Sequence, residues 1–298
     1  MISIETLSKL EFNEDDIEYI IQSDKKYGDK IAPLSASFMA LPKTEDNKRI
    51  VCAEFVKKAV ETAPECDNQY ILQLLFWLYC VPFAKEYYKQ KNISEEIFYD
   101  TMKDISCKAH DCKKVHGKVG TYSPWFYLHF SYVYFALGRL QFYIENYNGT
   151  YEKNGYTIKP GDRIYSCHIP SGSKLTREKC MESFQKAYEF FSDELTGDVL
   201  PVICTSWLLY PPYIERVFPK GSNIESFANL FDIIRQYTTG FRFSESELIF
   251  GASYQGSTEG FPADNSLLRN MIEYMNSGEE SGHGVGIILY DGKQKKIL

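Results

Sequence analysis

The stretch Tyr165-Ser-Cys-His-Ile-Pro-Ser-Gly-Ser-Lys-Leu-Thr-Arg-Glu178 decides the reading of this chain. Residues Arg163 to Ile169 read as a strand, Pro170 to Ser173 break the pattern, and a helix opens near Leu175. Free backbone amides at such a helix start carry partial positive charge, so they favour a phosphate or pyrophosphate. Gly172 lets a ligand approach the backbone closely, and Lys174 and Arg177 can pair with phosphate oxygens. The same residues also suit a plain strand-to-helix turn capped by Ser173 or Thr176.

Downstream, strands and helices alternate. The helix is predicted from Leu175 to Leu195, with Cys180, Met181, Phe184, Ala187, Tyr188 and Phe191 on its buried face. Val199 to Leu209 is continuously apolar, as in the middle of a covered sheet. Ser222 or Asn223 caps a helix carrying Phe227, Leu230, Phe231 and Ile234. Leu248 to Tyr254 and Val285 to Tyr290 read as strands, with a helix from about Ala263 to Met275 between them.

Upstream, eleven of the twenty-six residues from Tyr122 to Tyr147 are aromatic. Ser123-Pro124 predicts a helix start, and that helix should stop at Gly138. Leu140 to Glu145 then alternates as a half-buried strand, followed by turns at Asn148-Gly149 and Asn154-Gly155. The aromatic belt reads first as core, and second as a pocket for an apolar chain. Before Gly120 the pattern is helical. Asn13 and Ser94 stand as N-caps, and Pro64 and Pro82 as breaks. The expected architecture is therefore α+β: an all-helical domain over 1–120, then a mixed sheet flanked by helices over 121–298.

The chain has 298 residues, with 33 basic against 40 acidic side chains and a net charge of −7. An acidic surface argues against nucleic acid and anionic membranes as partners. The longest apolar run, Ile71 to Ala84, is shorter than the ~20 residues a membrane span needs. The N-terminal stretch lacks a basic region followed by an apolar core, so the eight cysteines are expected to be reduced thiols in a cytoplasmic protein.

The segments HIPSGSKLT, TYSPWFYLHFSYVYFALGRLQFYI, CTSWLLYPPY, FPKGSNIESF and NSLLRNMIEYMNSGEESGHG together resemble a bacterial acyltransferase family. That family joins a helical N-acyltransferase N-terminal domain to a C-terminal domain similar to the GCN5-related N-acetyltransferases (GNAT). The resemblance implies a sheet whose two central strands splay apart to admit acyl-CoA or acetyl-CoA as co-substrate. Ile169, Pro170, Ser171, Gly172, Ser173, Lys174, Leu175 and Arg177 then map onto the cofactor-binding turn, and Asn223 onto a helix beside the acyl-carrier arm. Two departures stand out. Gly172 is alone where the Gln/Arg-x-x-Gly-x-Gly/Ala signature is usual, and Leu230 and Phe231 occupy the place where a tyrosine acid often sits.

Transfer of an acyl group to a small-molecule amine or peptide acceptor needs a base for the ammonium and an acid for the leaving thiolate. His168, at the strand end where the cleft opens, is the expected base, unless it only caps the turn. Ser206 and Tyr210, on or after the opposing strand, are the expected proton donors. Cys204 reads as inert core rather than an acyl carrier. The competing function is a non-catalytic acyl-CoA-binding or scaffold protein with a degenerate cleft. Cys107, His110, Cys112 and His116 are zinc-type ligands, but their spacing is poor for a structural site, so no metal is expected.

Overall fold

A computed structural model describes residues 1–42, 48–122 and 124–298. The chain divides into two compact units, Met1–Ala136 and Leu137–Leu298. The division falls beyond the expected Gly120, because the aromatic stretch after Thr121 packs into the first unit.

The first unit is helical: α1 (Ile4–Lys9), α2 (Glu14–Ala40), α3 (Lys48–Glu61), α4 (Gln69–Gln90), α5 (Glu95–Met102) and α6 (Asp104–His116). Side chains of Ser3, Asn13 and Ser94 each accept from a backbone N–H in the first turn of α1, α2 and α5. That satisfies donors which a helix start leaves orphaned. Pro82 does not break the chain as expected but sits inside α4. Burial of Ile71, Leu72, Leu74, Leu75, Phe76 and Trp77 on that helix outweighs the roughly 3 kcal/mol a proline costs.

The helix expected from Pro124 to Leu137 is absent. Two 3-10 turns, Pro124–Tyr127 and His129–Ser131, stand there instead, and Ser123 lies outside the described residues. Phe130 stacks on Trp77 at 5.3 Å, and Phe126 meets the same indole edge-on at 5.5 Å. Aromatic packing on α4 thus overrides helical periodicity here. Strand β1 (Phe135–Leu137) follows.

The second unit contains β2 (Leu140–Asn146), β3 (Tyr151–Lys153), β4 (Tyr156–Ile158), β5 (Arg163–His168), α7 (Arg177–Phe190), β6 (Val199–Ser206), α8 (Pro211–Arg216) and α9 (Asn223–Ala228). It ends with β7 (Asp232–Gly240), α10 (Ser246–Phe250), α11 (Ser266–Asn276), β8 (Ser281–Asp291) and β9 (Lys296–Ile297). The main sheet has the order β1-β2-β5-β6-β8-β7, with β9 on β8. β5 and β6 are parallel, while β2–β5, β6–β8 and β7–β8 are antiparallel. β3 and β4 form a hairpin whose turn residues Asn154 and Gly155 both have positive φ, as a tight hairpin turn requires.

One sheet face packs on α7. Phe142 of β2 and Tyr290 of β8 meet Phe184, and Tyr165 of β5 meets Phe191 at 4.8 Å. The other face holds Ile164, Ile287 and Leu289 with Ile158 of the hairpin, and Val199 and Ile203 pack against them. Two expectations fail. The strand expected over Leu248 to Tyr254 is α10, closed by Gly251 at φ +73°; a short apolar run does not separate helix from strand. Ile234 belongs to β7, not to the helix opened at Asn223. β7 went unread because it is an edge strand with two register shifts and mostly exposed side chains.

Candidate active site

The site is built where β5 and β6 part. Their parallel ladder runs only through Tyr165↔Val202 and Ser166↔Ile203. Beyond it, β5 stays paired with β2 as far as His168, and β6 stays paired with β8 as far as Ser206. Each strand keeps its outer partner while losing its inner one, so the sheet forks at its middle. Past Ser166 and Ile203 the two strands share no further register pair.

Side chains alternate along a strand, which fixes what faces which side. Ile164 and Ile203 share one buried cluster, so His168 on β5 and Thr205 on β6 continue the same face. His168 is half-buried and its Nδ1 lies 2.8 Å from Oε1 of Gln141. Thr205 is exposed, and sequence reasoning passed over it in favour of its neighbour Ser206. Period-two counting from Ile203 would have found it. The same face carries the ionisable groups Tyr143 and Glu145 on β2, and Arg235, Tyr237 and His283 on β7 and β8. Burial raises the Glu145 carboxyl and lowers the His283 imidazole, each toward its neutral form.

The other sequence candidates have different surroundings. The Ser206 hydroxyl accepts from the Leu208 N–H and caps the 3-10 turn Trp207–Leu209. Tyr210 is 5% exposed, burial pushes its hydroxyl up, and its ring lies against Gly282. Cys204 is buried on the α7 side, and burial also pushes the facing Cys167 thiol well up, reinforced by contact with Cys204. The structure therefore brings His168 and Thr205 to one face and leaves Ser206 and Tyr210 in capping and packing positions.

After His168, Ile169, Pro170 and Ser171 are half-buried, Gly172, Ser173 and Lys174 are exposed, and Leu175 is buried. Gly172 has φ +114° with open space around its Cβ position, so the backbone conformation itself calls for glycine. Thr176, rather than Ser173, caps α7 by accepting from the Lys179 N–H at 3.4 Å. Arg177 opens the helix and is exposed. Glu178 in the same turn is held below the usual carboxylate range by its own backbone N–H and then by the Thr176 hydroxyl. Arg139 also reaches this turn, its Nε donating to the Ser173 carbonyl at 2.8 Å. It was missed because it lies far upstream, yet the β2–β5 pairing brings the start of β2 beside the end of β5. Asn223 is exposed at the start of α9, whose cap is Ser222.

Among the described residues no group of three or more His, Cys, Asp or Glu side chains is placed to hold a metal ion. Cys112 is buried on α6 and His116 stacks on Tyr70 at 4.7 Å. No helix among the described residues is long and apolar enough to cross a membrane.

A family model for the GNAT-like C-terminal domain matches residues 134–288, and one for the N-acyltransferase N-terminal domain matches residues 1–132. The chain belongs to this family. The resemblance read from the motifs and the expected α+β class both hold. Among solved structures, the chain is similar to an acyltransferase in complex with decanoyl-CoA and teicoplanin, at 19% identity and a TM-score of 0.71, covering 96% of this chain and 86% of that one. It is also similar to an acyltransferase in complex with CoA and 10C-teicoplanin, at 19% identity and a TM-score of 0.70, covering 95% and 86%. At that identity the likeness concerns the fold. Among curated proteins none matches the chain.

Proposed function

We propose that the chain is an acyl-CoA-dependent N-acyltransferase that moves an acyl group from CoA to an amine. The observation that carries this reading is the fork between β5 and β6, with His168 at its edge and the Ser171–Arg177 turn just beyond. The thioester arm enters the fork where the β5–β6 pairing ends. The pyrophosphate meets the α7 amides, with Lys174, Arg177 and Arg139 as local cations in an otherwise acidic protein. His168 takes the proton of the incoming ammonium, and the amine nitrogen forms its bond to the acyl carbon. The C–S bond then breaks, and the thiolate leaves as CoA–SH once a proton reaches it. Thr205, on the face of His168, supplies a hydroxyl toward the same reacting group.

A second reading is favoured by the positions of Ser206 and Tyr210. With one hydroxyl in a cap and the other buried, the cleft would hold acyl-CoA without turnover. Calorimetry with acyl-CoAs from acetyl to decanoyl, followed by thiol release with a panel of amines, separates the two. Binding with turnover supports the transferase, binding without turnover supports the second reading, and no binding of any acyl-CoA sinks both.

A further inference from the structure

Gln141 is the second residue of β2 and stands directly opposite His168 in the antiparallel register. It is 1% exposed. An amide buried to that degree is retained only where its polar atoms are matched, since an unmatched one costs free energy. Its Oε1 lies 2.8 Å from His168 Nδ1. A carboxamide oxygen accepts and never donates, so Nδ1 carries the proton in this pair. In neutral imidazole that leaves the lone pair on Nε2.

We propose that Gln141 is a positioning residue: its carboxamide fixes the Nδ1–H tautomer of His168 and so makes Nε2 the atom that accepts the substrate ammonium proton. This rests on the acyltransferase reading above. The choice of an amide over a carboxylate follows from the same chemistry. Both orient the ring, but a carboxylate also favours the imidazolium, which cannot act as a base. An amide holds the tautomer without adding that charge. The sheet supplies the precision, because Gln141 and His168 sit on paired strands rather than on loops.

Two measurements test the proposal. Long-range proton–nitrogen NMR of the free protein reads the His168 tautomer, with His168→Ala assigning its signals among the five histidines. The expected result is Nδ1–H in the wild type and a shift toward Nε2–H in Gln141→Leu. In kinetics, Gln141→Leu should lower kcat roughly 10- to 100-fold with KM for acyl-CoA unchanged. Gln141→Glu, which keeps the shape, should move the acidic limb of the pH–rate profile upward by about one unit. An Nε2–H tautomer in the wild type overturns the proposal, as do an unchanged tautomer in Gln141→Leu and an unmoved limb in Gln141→Glu. If Gln141→Leu fails to fold, the wild-type tautomer and Gln141→Glu still decide. The NMR result does not depend on turnover. An inactive protein with the Nδ1–H tautomer would therefore count against the transferase reading and leave the tautomer assignment standing.

Discussion

The two edges of β6 differ. Toward β8 it is paired along its whole length, from Val199↔Asp291 to Ser206↔Gly284, while toward β5 its ladder stops at Ile203. On the closed side, Gly282, Gly284 and Gly286 let neighbouring residues lie directly on β8. A Cβ at Gly284 would sit 1.9 Å from the Leu209 carbonyl oxygen, and one at Gly282 would sit 2.6 Å from the Tyr210 ring. The closed edge carries stability, and the open edge is where we place the chemistry. The first way to break that contrast is Gly284→Ala. Its new methyl group meets backbone, which cannot swing aside as a side chain can. We expect a loss of about 3 kcal/mol and a fall in Tm of roughly 6–12 °C, measured by calorimetry.

His168→Ala tests the open edge. Here the rate of acyl transfer should fall about 10²- to 10⁴-fold, while acyl-CoA affinity and Tm stay close to wild type. A large drop in Tm instead would mean that His168 holds the fork together, and would erase the difference between the edges.

The pH dependence of stability sharpens the contrast from beneath the closed edge. Tyr213 donates to Glu245, a carboxyl that is 3% exposed and raised above its ordinary value by burial, with the Tyr213 hydrogen bond opposing the shift. A carboxyl raised on folding binds its proton more tightly in the native state. Its contribution is therefore fully present below the ordinary value of 4.5 and is lost as pH rises through the folded value. His283 has the opposite sign. Burial lowers it below 6.5, so the stability it allows is present above that pH and lost as pH falls. In thermal melts, Glu245→Gln should gain on the wild type as pH rises from 4.5 toward neutrality. A constant difference across that range would show that Glu245 ionises normally.

Much of this arrangement is legible in the sequence. Alternation marked β2, Arg163 to Ile169 read as the strand that is β5, the continuous apolar run marked β6, and the small turn after His168 located the start of α7 within two residues. The aromatic stretch misled, because Phe126 and Phe130 follow a helical spacing yet are held by Trp77 rather than by helical hydrogen bonds. β7 escaped because an edge strand buries too little to show alternation. In the candidate site, the place of His168 at a strand end was legible. Gln141, Arg139 and Thr205 were not, since each depends on a pairing register or on face parity, which a linear pattern does not carry.

That parity also yields the finest test. Ser206 and Thr205 are adjacent hydroxyls on one strand and lie on opposite faces. Ser206 caps the turn that rests on the closed edge, so Ser206→Ala should cost about 1 kcal/mol and leave turnover nearly unchanged. Thr205 is exposed beside the open edge, so Thr205→Val should leave Tm where it is. Its effect belongs in kcat, at roughly five-fold if the hydroxyl contributes one ordinary hydrogen bond of about 1 kcal/mol to the transition state. Melts and initial rates on the two variants read both quantities independently. If the effects were exchanged, with Ser206→Ala slowing turnover and Thr205→Val lowering Tm, the face assignment would be reversed. The reacting group would then lie on the α7 side of the sheet, away from His168.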